Sequence, residues 1–169
     1  MIQEFYPFDI EYLTTAAFEG NRGTILNIIN DPNCNTFLNL KNSRKQTMLY
    51  CACIAEDNFL MVQDLLNTDG IDINATQERG STPLHGAVWS NHKESVILLL
   101  AAGCDTTIKN INNATAEEEA DQKNNQEIID IFKWFREKNK DMLLTYKGGN
   151  QYPIVYDLKN LKQTSDWLM

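Results

Sequence analysis

Three threonines, Thr47, Thr82 and Thr115, stand 35 and 33 residues apart, and each opens the same pattern. A short segment follows with small residues in its middle: Ala52-Cys53, Ala87-Val88 and Ala120. Then come a polar break and a second segment with aliphatic residues at helical spacing. An earlier copy, YLTTAAFEGNRGTILNIIN, has the pair Ala16-Ala17 and the aliphatic run but not the threonine start. A period of this length constrains the fold more than any other feature of the chain. One such unit cannot bury its apolar face alone, so successive copies must stack and share a core.

The punctuation fixes each unit as helix, turn, helix and then an extended stretch such as IDINATQERG. Thr82 is suited to the N-cap and Pro83 to the first helical position, where a missing N–H costs nothing. Val96 to Leu100 form a run broad enough to be buried on most sides of the second helix. Gly70 and Gly103 close the second and third copies, where a residue with positive φ stops a helix.

Within this frame, GIDINATQERGSTPLHGAVWSNHKESVILLLAAGCD resembles an ankyrin repeat almost throughout. Thr82-Pro83-Leu84-His85 matches the T-P-L-H signature, and Leu98 to Leu100 with Gly103 match the L-L-L-x-x-G ending. The resemblance implies an all-α ankyrin-repeat solenoid of about four helix-turn-helix repeats with β-turn connections. Its repeats would fall near residues 10–41, 42–76, 77–109 and 110–140 of a domain spanning 10–140, followed by a C-terminal extension over 141–169. The first copy lacks T-P-L-H and the last reads Thr115-Ala116-Glu117-Glu118, as expected of capping repeats with one face in water. The second copy carries about two extra residues around AEDN, and Lys45 where the family usually has glycine. The first copy has the segment DPNCNT inserted before the next turn.

Composition narrows the function class. A formal charge of −8 opposes generic nucleic-acid binding, which needs clustered Lys and Arg. The run KWFREKNK is interrupted by Glu137 and reads as a solvated helix end. No apolar run approaches the ~20 residues that span a bilayer, and the first residues lack a basic n-region. Cys51 and Cys53 are separated by one residue, not at C-x-x-C spacing, and neither histidine lies near them in sequence to complete a metal set. Reduced, packed thiols in a cytoplasmic or nuclear setting are expected, with no cofactor and no metal.

Ser81 and His85 superficially suggest a nucleophile and base. They lie across a helix start, with no G-x-S-x-G elbow and no acid, so a catalytic reading fails. The resemblance instead gives His85 the role of bonding the neighbouring turn, and places His92 in the turn between helices. Trp89 is different, because it follows the small pair at a position variable in the family. Its counterparts are Ile54 and Phe18, so stacking would align three large apolar residues on the inner face. A Trp-centred patch with a polar rim is typical of an interaction hot spot.

The rim would come from the turn tips, above all Arg44, Gln46, Glu78, Arg79, Ser81, Ile111 and Asn112, whose mixed charge suits a protein or peptide. The tail DMLLTYKGGNQYPIVYDLKNLKQTSDWLM is too apolar for a plain linker, and could cover this stripe or lead into a further domain. The expected function is thus a non-catalytic interaction module that binds a protein or peptide partner. One alternative is a regulatory or targeting domain of a larger enzyme whose catalytic part lies beyond residue 169. A weaker alternative is a substrate of an asparagine hydroxylase at Asn74, which resembles the asparagine modified in many ankyrin repeats.

Overall fold

A computed structural model describes residues 9–31 and 36–143, with side chains as far as residue 138. Every repeat contributes two helices. They are α1 (Ile10–Phe18) and α2 (Arg22–Ile29), α3 (Met48–Ile54) and α4 (Phe59–Leu66), α5 (Pro83–Trp89) and α6 (Lys93–Ala101), α7 (Ala116–Gln122) and α8 (Gln126–Leu143). Among the described residues there is no strand. The odd-numbered helices pack side by side as an inner layer, and the even-numbered helices form an outer layer behind them. Helix α8 runs to Leu143, past residue 140 where the sequence repeat ends. The extension from residue 144 onward, and residues 32–35 of the insertion DPNCNT, Cys34 among them, lie outside the described residues.

Local chemistry sets the helix starts. The hydroxyls of Thr47, Thr82 and Thr115 accept the N–H groups of Tyr50, His85 and Glu118 respectively. In two repeats the reciprocal bond is also present: the His85 ring and the Glu118 carboxylate each accept the cap residue's own N–H. Each such cap is worth ~1 kcal/mol. Asp9 does the same work for α1, accepting from Glu11 N–H.

Between the two helices of each repeat, one residue takes a left-handed conformation: Gly20, Asp57, Asn91 and Asn124, with φ of 74°, 52°, 60° and 53°. In the second, third and fourth repeats the residue after it reaches back to the preceding repeat. Asn58 Nδ2 donates to the Ala17 carbonyl (2.6 Å), and the His92 Nδ1 position lies 3.0 Å from the Cys53 carbonyl. The connector in the second repeat occupies 55–58, one residue longer than 19–21, 90–92 and 123–125. The surplus expected around AEDN is therefore shared with the loop after α4, where a longer connection runs through Gly70 at φ 86°. Both are surface loops that accept insertions without disturbing the stack.

The core lies between the layers. Leu13, Ile25, Leu49, Met61, Leu65, Leu84, Leu99 and Ile128 are fully buried and run the length of the array. Each such side chain contributes ~1.5–3 kcal/mol from burial. The outer layer is further tied by Arg22 to Asp64 (2.5 and 3.0 Å) and Lys93 to Glu127 (3.2 and 3.1 Å). These exposed pairs add at most ~1 kcal/mol each.

The connections between repeats are hairpin turns that project beyond the inner helices. Each is closed by a backbone bond: Asn42 to Gln46, Gln77 to Ser81, and Asn110 to Ala114. The side-chain oxygens of Asn42, Gln77 and Asn110 accept N–H groups inside the turn. Neighbouring turns are also stitched tip to tip, with Glu78 N–H donating to Arg44 O (3.3 Å) and Ile111 N–H to Arg79 O (2.9 Å). The turn tips thus form one ladder, held at a fixed spacing above the inner helices.

Candidate partner-binding surface

The inner helices end in register. Phe18, Ile54, Trp89 and Gln122 are the last residues of α1, α3, α5 and α7. Phe18 and Trp89 are 52% and 65% exposed, large values for aromatic side chains. Ile54, between them, is half-buried. The cause is a close approach of α5: a Cβ at Gly86 would stand 2.7 Å from Ile54 Cγ2 and 3.4 Å from the Tyr50 ring. The apolar stripe is therefore interrupted at its centre, and it ends at the polar Gln122.

Trp89 is not a bare ring. Lys123 Nζ lies 3.5 Å from the centroid of its ring and donates to the Trp89 carbonyl at 2.7 Å. This stacking supplies ~0.5–1 kcal/mol and orients the indole. Sequence reasoning did not single out Lys123. The available signal was its place 34 residues after Trp89, one repeat further along the stack.

On the ladder of turns, Arg44, Glu78, Arg79, Ile111 and Asn112 are exposed, whereas Gln46 and Ser81 are half-buried. Ile111 is 68% exposed, the most open of the large apolar side chains among the described residues. The first turn and α1 enclose a groove of about 350 Å³. It brings together Phe18, Ile54, Arg44 and Gln46, and adds Glu11 and Thr15, which the sequence did not single out, and Cys51, which it read only as a packed thiol. Glu11 Oε1 accepts the Ser43 N–H at 2.5 Å, pinning the turn to α1.

The residues that first suggested chemistry are committed to architecture. His85 is buried; its Nδ1 accepts the Thr82 N–H at 3.2 Å, so the proton sits on Nε2, which donates to Ala114 O at 3.1 Å. That bond joins the third repeat to the next turn. Cys51, Cys53 and Cys104 are free, buried thiols. Burial pushes Cys51 and Cys104 up to about 12 and raises Cys53 likewise, so none is a thiolate near neutral pH. Among the described residues, no group of three or more His, Cys, Asp or Glu side chains is placed to hold a metal, and no helix is long and apolar enough to cross a membrane. Asn74 is half-buried, and its carboxamide oxygen accepts the Asp105 N–H at 2.9 Å. Asn39 makes the same bond to Asp72 one repeat earlier.

Comparison with known proteins agrees with this architecture. Residues 13–110 match the family model described as ankyrin repeats (three copies). An ankyrin repeat protein of Acanthamoeba polyphaga mimivirus is 31% identical over 85 residues, covering 50% of this chain and 12% of the relative. Oxysterol-binding protein-related protein 1 of Rattus norvegicus is 43% identical over 42 residues, covering 25% of this chain and 4% of its own length. An ankyrin repeat protein of fowlpox virus is 43% identical over 47 residues, 28% of this chain and 6% of the relative. The chain thus spans only a small share of these longer relatives. Since the family model covers more than half of the sequence and the helix pairs follow its period, the chain belongs to the ankyrin repeat family.

Proposed function

We propose that this chain is a non-catalytic module that binds a protein or peptide partner through the inner helices and turn tips of its stacked repeats. Ankyrin repeats generally mediate protein–protein interaction and are typically non-catalytic. The observation that carries the reading for this chain is Trp89, 65% exposed at the end of α5 and held in place by Lys123. An oriented, water-exposed indole offers much apolar area at little further ordering cost, which is what a hot spot requires. Phe18 and Ile111 extend the apolar contact, and Arg44, Glu78, Arg79 and Asn112 supply a polar rim that excludes water.

Affinity capture with wild-type and Trp89→Ala protein, read by quantitative mass spectrometry, tests this. Loss of a hot-spot indole costs ~2 kcal/mol or more, so a direct partner is expected to fall at least tenfold in occupancy. Partners retained undiminished by the variant would move the site away from the inner face. A second reading, a targeting module within a longer chain, is supported by the length of the relatives, all of which extend far beyond the matched portion. It uses the same surface and differs only in what the surface is attached to.

A further inference from the structure

The groove between α1 and the first turn differs in chemistry from the rest of the inner face. Its apolar wall is Phe18 and Ile54. Its opposite rim carries hydrogen-bond donors without a partner among the described residues: the Arg44 guanidinium and the Gln46 side-chain N–H₂. Gln46 Oε1 is already occupied by Asn42 Nδ2 at 3.2 Å, which leaves the amide nitrogen as the free end. Beside them, Lys45 and Arg79 are exposed and also form no ion pair among the described residues. Arg44, Lys45 and Arg79 of the first two turns thus stand against one exposed acid there, Glu78, which likewise forms no ion pair among the described residues, on a chain whose formal charge is −8. The acidic side chain lining the groove, Glu11, reaches the same turn, where it accepts the Ser43 N–H beside Arg44, so a carboxylate ligand binds against its charge.

Resting on the binding-module reading above, we infer that this groove anchors a peptide in which an apolar side chain stands next to an aspartate or glutamate. The apolar side chain lies against Phe18 and Ile54. The neighbouring side-chain carboxylate faces the turn, where Arg44 supplies a fork of donors and Gln46 one more. Arg79 and Lys45 raise the local concentration of acidic segments, an effect that weakens as salt rises. The groove, at about 350 Å³, has room for one large side chain and its neighbour, not for a folded surface.

Two synthetic peptides test this on the full chain. Both carry the same leucines and phenylalanines, one alternating them with aspartate and the other with lysine. Both are acetylated and amidated, so that side chains provide the only charges. Titration by fluorescence anisotropy, with amide NMR shifts to locate the contact, is expected to give about tenfold or tighter binding of the aspartate peptide. Shifts should concentrate at Thr15, Phe18 and Ile54. Arg44→Glu, an exposed position whose backbone contacts are unchanged, should weaken that binding about tenfold or more. Glu11→Gln, which keeps an acceptor for Ser43, should leave it equal or tighter.

Equal binding of the two peptides, preference for lysine, no binding of either, or indifference to Arg44→Glu each overturns the inference. Partner capture that survives Arg44→Glu but is lost in Trp89→Ala would remove the groove and leave the wider surface standing. Capture indifferent to both would remove the two together.

Discussion

Lys45 holds φ at 58°, as do Asn113 at 57° and Gly80 at 74° in the equivalent places of the next two turns. The tight hairpin demands this conformation whatever the residue, and a lysine there works against its own Cβ at a cost of ~1–2 kcal/mol. Lys45→Gly is expected to stabilise the protein by ~0.5–1 kcal/mol, the remainder being lost to the freedom of glycine in the unfolded chain. Urea denaturation would show it as a raised midpoint with unchanged slope. The sequence already marked Lys45 as standing where glycine is usual. It likewise marked Thr82, Pro83 and His85, because capping works within three residues of a helix start. It did not mark Lys123, whose contact with Trp89 exists only after two repeats stack.

At the scale of elements, α3 and α5 meet more closely than neighbouring helices would if every position carried a Cβ. Gly86 sits mid-helix, where glycine costs ~1 kcal/mol relative to alanine, and its neighbours Ile54 and Tyr50 occupy the space so released. Gly86→Ala should therefore destabilise by ~1–2 kcal/mol through overpacking despite its better helix propensity. In an Ile54→Ala background the same change should become neutral or stabilising. A double-mutant cycle by chemical denaturation checks this, and additive effects would show that the two residues are not in contact. The helices themselves were legible from their caps and aliphatic spacing. The half-burial of Ile54 was not, since it depends on what residue 86 lacks, 32 positions away.

At the scale of the molecule, the main helix contacts among the described residues run within a repeat and to its neighbours, so stability is a sum of repeat and interface contributions along one line. Among the described residues, the central helices α3 to α6 have a repeat on both sides, whereas α1, α2, α7 and α8 have one on a single side. Native-state hydrogen exchange should accordingly find the slowest amides around Leu49, Leu65, Leu84 and Leu99, with protection falling toward both ends. Uniform protection along the chain would indicate a single cooperative unit instead. The polar character of α7, with Glu117, Glu118 and Asp121, fits its place near one end, although Glu119 is buried there and bonds Asn110 Nδ2 at 2.6 Å.

The sequence by itself determined the repeat period, the two helices of each copy, the threonine starts with the cap at Thr82, and the usual glycine position held by Lys45. All of these rest on interactions a few residues long, which a local pattern encodes. It also pointed to Trp89 as the residue to watch. Only the tertiary structure decided that Phe18 and Trp89 stand exposed while Ile54 is half-covered, that Lys123 lies over the indole, and that Arg44 and Gln46 share a groove with α1. Exposure and side-chain juxtaposition depend on how closely successive repeats approach, and that is set by residues 30 or more positions apart.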